Sequence, residues 1–304
     1  EDASLEDVWR PENYSGRVFG PTRLREALTY SRNLVSIRLL RQVGVGTAID
    51  HIERFGIPGD RLPRNLSLAL GAAEVTPLEL ARAYAVFANG GYRITPYYIE
   101  RAVDGDGSVV YESWPSRAVA AEAIEPAEPG PEGPRRPAAR PAERAISAEN
   151  AWLMRSMLQN VIQEGTARSA RALGRNDLGG KTGTTNEQRD AWFSGFNGDL
   201  VVTAWVGFDE LQTLGRYETG GRAALPIWTD FMEAALDGRP ESEWSRPDGL
   251  VTVRIDPDSG ELAGADTPGA IFETFRASNL PSGDTSAESG RAEGAGASGG
   301  QPIF

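Results

Sequence analysis

Cysteine is absent from the 304 residues, which removes disulfides, thiol catalysis and zinc–thiolate sites together. Histidine occurs once, as His51. One imidazole with no thiol argues against a zinc centre, so no metal site is expected. A Ser-His-Asp triad would have to run through that same residue. His51 lies in a helical context over 49–55, and the expectation is a partly buried structural side chain. No run of 18 apolar residues occurs, so no stretch is long enough to cross a bilayer as a helix. No leader pattern opens the chain, and Glu1 is not an initiator methionine. The expectation is therefore a processed or excised piece of something longer. No Walker sequence occurs, and no glycine fingerprint joins a strand to a helix, so nucleotide binding has no support. Positive charge is in deficit: 31 Lys and Arg against 43 Asp and Glu leave −12, which argues against a nucleic-acid partner. Solubility accounts for that acidity. Scarcest of the basic residues is lysine, which occurs only at Lys181.

What is present suits a globular chain. A hydrophobic content of 40% with seven tryptophans can fill one large domain or two smaller ones. Leu24, Ala27 and Leu28 suggest a short helix leading to Ser31-Arg32-Asn33. Val35, Leu39, Leu40 and Val43 then fall at helical spacing, with Gly44 as the stop. Thr76-Pro77-Leu78-Glu79 reads as a capping box with proline at the first helical position, opening a helix that ends at Asn89-Gly90-Gly91. Residues 94–110 read as strand material around an Asp104-Gly105-Asp106-Gly107 turn. From 113 to 145 the composition turns to Pro, Ala, Glu and Arg, and a linker or disordered insertion is expected. Ser147 is a candidate N-cap for a helix with Met154, Met157, Leu158, Val161 and Ile162 on one face. A hairpin is expected over 191–208 around Asn197-Gly198-Asp199, and a helix from Pro226. A short strand pair is expected at 251–255 and 261–263, and a disordered tail beyond about 276.

Lys181 sits in Leu178-Gly179-Gly180-Lys181-Thr182-Gly183-Thr184-Thr185. Lysine is a compact charge whose pKa can be tuned, whereas arginine is a planar fork that stays charged. As a strand, this stretch turns Thr182 and Thr184 to one face, and Lys181 and Gly183 to the other. Gly183 leaves the backbone open to close approach. Two hydroxyls, an ammonium and strand amides suit a carboxylate-bearing peptide laid along a sheet edge. An ordinary polar edge strand with a solvated lysine fits the same residues. Ser31-x-Asn33 likewise has two readings, since Ser and Asn ahead of an apolar helix look like an N-cap.

The combination of Ser31-x-Asn33 with Lys181-Thr182-Gly183 some 150 residues later is the motif pairing of penicillin-binding proteins and class A β-lactamases. Residues 9–20, 70–91, 165–208, 219–232 and 255–263 all resemble the transpeptidase domain of class A, bifunctional penicillin-binding proteins of the 1a type. The resemblance implies an α/β fold (α+β in the looser sense), with an antiparallel sheet sandwiched by helices as in penicilloyl-serine transferases, here truncated at its N-terminal side. It implies a peptidoglycan D,D-transpeptidase using a serine acyl-enzyme. Ser31 would relay protons, Asn33 would bond the substrate amide, and Lys181 would hold Ser31 and supply positive potential. Thr182, Gly183, Thr184 and Thr185 would form the substrate-binding strand, with the Thr184 N–H giving half of the oxyanion hole. No cofactor is implied. Implied partners are D-Ala-D-Ala stem peptides, β-lactams and other cell-wall synthesis proteins. Membrane attachment would come only through an anchor upstream, on the periplasmic face of the bacterial inner membrane.

One departure stands out. Ser-x-x-Lys needs a serine three residues before a lysine, and the residue three before Lys181 is Leu178. The nucleophile and its lysine are therefore expected upstream of Glu1, with a glycosyltransferase domain beyond them. This leaves 1–112 and 146–245 as two parts of a transpeptidase domain around the 113–145 insertion. A small β element would cover 246–275 and the tail 276–304. The principal rival is a non-catalytic peptidoglycan-binding or scaffold protein that keeps the pocket without the chemistry.

Overall fold

The computed structural model describes residues 9–119 and 140–283, together with the backbone of 129–130 and 133–134. Its centre is an antiparallel sheet of β1 (Gly179–Thr184), β2 (Ala191–Phe196) and β3 (Val201–Val206), in the order β3-β2-β1. The β2–β3 hairpin closes where expected. Asn197 is fully buried, and its Oδ1 accepts from the backbone N–H of Asp199 and of Leu200 at 3.0 and 2.8 Å. A side chain that mimics a backbone acceptor is what makes Asn such a good turn former.

Strand alternation decides what each face of the sheet meets. Phe193 packs edge-on against Trp228 of α6 (Leu225–Leu236), with ring centroids 4.9 Å apart. Phe196 points the other way, toward Tyr84 of α4 (Pro77–Ala88) and Leu158 of α5 (Ala148–Gln163). The sheet is thus sandwiched by helices, α6 on one face and α4 with α5 on the other. Capping chemistry sets the starts of α4 and α5. Thr76 and Glu79 form the reciprocal box, and the Ser147 hydroxyl accepts from the Asn150 N–H.

Ahead of the sheet lie α1 (Leu24–Thr29), α2 (Asn33–Val43) and α3 (Val45–Glu53), the last two around a separate core of Leu40, Ile49, Leu62 and Leu68. The face expected for α2 is shifted. Ile37 and Leu40 are buried while Val43 is exposed, because the helix packs on this small core and not on the sheet.

The C-terminal pairing also differs from expectation. β4 (Leu250–Ile255) pairs along its whole length with β5 (Ile271–Arg276), not with 261–263. The turn at 256–260 does form, with the Asp256 carboxylate accepting from the N–H groups of Asp258 and Ser259. It returns the chain for one bridge, Ile255 to Leu262, before a further turn gives β4 its six-residue partner. Residues 277–283 stay pinned by the Ala277 N–H to Gly249 O and by the Leu262–Gly283 bridge. The rest of the expected tail lies outside the described residues.

About half of the expected insertion over 113–145 lies outside them as well. At its C-terminal side, 143–144 pair with 92–93, and Ala142 and Ala145 are buried. The chain has rejoined the body there. The turn at 104–107 closes a hairpin of 101–103 with 109–112, as the sequence suggests.

Candidate active site

Ser31 lies between α1 and α2 with φ of 53°, a left-handed conformation that costs a non-glycine residue roughly 1–2 kcal/mol. It is not an N-cap. Arg32 holds that position, with no side-chain cap, and α2 begins at Asn33. Instead the Ser31 hydroxyl turns toward the sheet and accepts from Lys181 Nζ at 2.9 Å, joining segments 150 residues apart.

Lys181 donates a second bond to the carbonyl of Thr182 at 3.0 Å. No carboxylate pairs with it among the described residues. The residue keeps some exposure, but burial of its ammonium lowers the pKa to about 8. An amine so placed can exchange a proton near neutral pH, and in its protonated form it gives the site a positive potential. This is not the solvated lysine of an ordinary edge strand.

Across the strand, the face argument holds. Lys181 is opposite Ser194, whereas Thr182 and Thr184 are opposite Phe193 and Ala191 on the α6 face. The Thr182 hydroxyl lies 2.7 Å from that of Thr166, just beyond the end of α5. Thr184 Oγ1 accepts from the Gly220 N–H at 3.0 Å. Gly220 opens a π-helical turn, Gly220–Ala224, that runs into α6. A Cβ at Gly220 would stand 2.3 Å from the Trp192 carbonyl and 2.4 Å from that of Gly183. Only glycine lets the turn lie this close to the strand. Thr185 ends the strand by gripping Asp190, whose N–H donates to its hydroxyl at 2.8 Å.

Asn33 is placed differently from its motif partner. Its Nδ2 donates to the Glu12 carbonyl at 2.9 Å, and Asn13 Oδ1 accepts the Leu34 N–H. Its amide therefore ties the start of α2 to segment 12–13 and is not joined to the Ser31–Lys181 pair. His51 lies in α3, outside the Ser31–Lys181 hydrogen-bonded cluster, with its ring edge-on to Phe55 at 5.5 Å. It is more exposed than expected. Thr166 and Gly220 were not singled out from sequence. Their signals were slight: a Gly-Thr pair at a helix end, and a Thr-Gly-Gly ahead of a helix.

A helix-sandwiched antiparallel sheet with a Lys-Thr-Gly edge strand and a serine bonded to that lysine defines a class. The penicillin binding protein transpeptidase domain family matches residues 4–233, and the chain belongs to it. A second family, the Penicillin-binding protein 1A, C-terminal domain, matches residues 246–283 and takes in the β4–β5 pair. Penicillin-binding protein 1A of Pseudomonas aeruginosa is 48% identical over 92% of this chain and 37% of that protein. The protein of the same name from Neisseria lactamica is 45% identical over 80% of this chain and 28% of its own length. The chain thus spans about a third of the curated relatives it matches. Among solved structures, Penicillin-Binding Protein 1A from Haemophilus influenzae superposes with a TM-score of 0.81 at 37% identity, over 91% of this chain and 43% of that one. PonA1 from Mycobacterium tuberculosis, in complex with penicillin V, shares the fold with a TM-score of 0.59 at 22% identity over 78% of this chain and 62% of that one.

Proposed function

We propose that the chain supplies the proton-handling and carboxylate-binding part of a peptidoglycan D,D-transpeptidase. The observation that carries this reading is the 2.9 Å bond from Lys181 Nζ to Ser31 Oγ. In the proposed reaction a serine attacks the D-Ala-D-Ala carbonyl of a stem peptide, the terminal D-Ala leaves, and the amine of a second strand resolves the acyl-enzyme. Ser31 passes the proton between nucleophile and leaving group, and Lys181 keeps its hydroxyl oriented. Thr182 and Thr184 hold the substrate carboxylate, and the Thr184 N–H stabilises the oxyanion. Asn33 reaches the substrate amide once it exchanges its bond to Glu12. β-Lactams, as mimics of the acyl donor, occupy the same place.

The nucleophilic serine and its lysine lie outside residues 1–304 in this proposal, because no serine here has a lysine three residues on. The site works on the periplasmic face of the inner membrane, beside other cell-wall synthesis proteins. The test is intact-mass spectrometry after incubation with benzylpenicillin, on residues 1–304 and on the longer protein carrying a Ser-x-x-Lys in frame. The expected result is an adduct on the longer protein only. A stoichiometric adduct on 1–304 would overturn the placement of the nucleophile. A longer protein that never acylates would favour a binding or scaffold role.

A further inference from the structure

The buried stripe of α5 runs Ala151, Arg155, Leu158 and Ile162, so an arginine occupies a core position at helical spacing. Arg155 is only 6% exposed. Its guanidinium carbon lies 3.8 Å over the ring of Trp244, and no carboxylate or hydrogen-bond acceptor meets it among the described residues. Other arginines of low exposure show what is missing. Arg175 bonds both oxygens of Asp177, and Arg25 both oxygens of Glu273. A buried charge without an anion is costly, and a cation–π contact offsets only part of that cost. Burial alone pulls the Arg155 pKa down to about 10, with no neighbouring anion pulling the other way.

Arg155 lines a cavity of about 490 Å3 between the start of α5, the β2–β3 turn and residues 240–247. Trp152 and Trp244 are two of its walls. None of the arginine's nitrogens is sealed away from solvent without a partner, so the fork opens on this space. The cavity lies at the Gly179–Phe196 end of the sheet, opposite the Thr184–Ala191 end that Gly220 covers. Three carboxylates, Asp199, Glu241 and Glu243, also line it. Glu241 is engaged by the Asn176 N–H, and Asp199 by the Ser242 hydroxyl at 3.4 Å. They leave the region net negative and repel phosphates and other polyanions, while a singly charged acid meets less opposition.

We propose that this cavity is a binding site for a small monocarboxylate, with the Arg155 guanidinium taking the carboxylate and the indoles of Trp152 and Trp244 flanking an apolar remainder. A planar fork matches two carboxylate oxygens, and aromatic walls suit the rest of such a molecule. The site is independent of the transpeptidase reading.

The test titrates the full chain with benzoate, benzamide and inorganic phosphate, following tryptophan fluorescence. Acetyl-Ala-Ala, with its terminus free or amidated, is a further arm. Benzoate should saturate at millimolar concentrations, with benzamide and phosphate at least tenfold weaker. Trp244→Phe should remove most of the signal. Arg155→Met should abolish binding and raise the melting temperature, since it deletes an unpaired buried charge but keeps the packing volume. Binding of free acetyl-Ala-Ala but not of benzoate, lost on amidation and in Arg155→Met, would keep the carboxylate and identify a peptide terminus as its source. Equal binding of benzamide, stronger binding of phosphate, or unchanged binding in Arg155→Met would overturn the proposal. If Arg155→Met does not fold, phenylglyoxal modification of the unaltered chain decides: benzoate should slow modification of Arg155 at least fivefold. No protection would count against the site.

Discussion

Lys181 carries its charge where burial works against it, and that gives the residue a measurable signature. A lysine pKa lowered from 10.5 to about 8 means that the folded state holds its proton less tightly than the unfolded state. Between pH 8 and 10.5 the unfolded chain therefore binds more protons, and stability should rise with pH across that window. The charged form costs up to about 3 kcal/mol at pH 7. Lys181→Met should then melt higher than the parent chain at pH 7, with the gap closing by pH 10.5. No gap at pH 7 would argue against a buried ammonium. Because lysine occurs once, reductive methylation with a carbon-13 label gives one side-chain resonance besides the N-terminus. Its NMR titration should show a midpoint near 8, where a solvated lysine would titrate above 10. Ser31 offers a second test, since its φ of 53° favours glycine. Ser31→Gly and Ser31→Ala both remove the bond to Lys181, but Ser31→Gly should be more stable by roughly 1 kcal/mol in thermal or urea denaturation.

Elements whose ends are fixed by local chemistry were legible from sequence, and those fixed by distant contacts were not. The capping box at Thr76, the N-cap at Ser147 and the Asn197 turn each satisfy backbone groups within a few residues, so they leave a local pattern. The faces of the lysine strand were legible because the side-chain period of a strand is two. By contrast, the partner of β4 was misread because its turn is genuine but serves one bridge only. The orientation of Asn33 depends on Glu12, and the bond to Thr184 depends on Gly220; neither leaves a mark in nearby sequence. Gly220 supplies the test at this scale. Gly220→Ala would drive a methyl into the Trp192 and Gly183 carbonyls, lifting the π-helical turn off β1. The expected cost is about 2–4 kcal/mol, within the range of a forced backbone clash. Hydrogen exchange should show faster exchange at the Gly220 amide, with α4 unaffected. Thr76→Ala should cost about 1 kcal/mol and fray α4 alone.

At the scale of the whole molecule, the C-terminal β4–β5 pair is latched to the N-terminal region through Glu273, which pairs closely with Arg25 of α1 and more loosely, at 3.9 Å, with Arg23. Arg25 bonds both oxygens of Glu273 at 2.7 Å and also reaches Ser156 of α5. Burial would raise the Glu273 pKa, but the Arg25 hydrogen bonds and charge outweigh it and hold the carboxyl below its usual value. That stability is present above the ordinary glutamate pKa and is lost as pH falls through the lowered one. Glu273→Gln should cost about 2–4 kcal/mol at pH 7, because it leaves Arg25 half-buried without its charge partner. The cost should shrink in denaturation curves taken below pH 4. An unchanged midpoint at pH 7 would show that the latch is idle.

The separation of Ser31 from Lys181 also has a consequence in time. A ribosome adds roughly 5–20 residues per second. The serine therefore leaves the tunnel roughly 8–30 s before the amine it must meet 150 residues later. Through that interval the left-handed turn at Ser31 has no bond from the sheet to hold it. The pocket cannot close before Lys181 is made, so nascent molecules short of residue 181 cannot present it to any ligand.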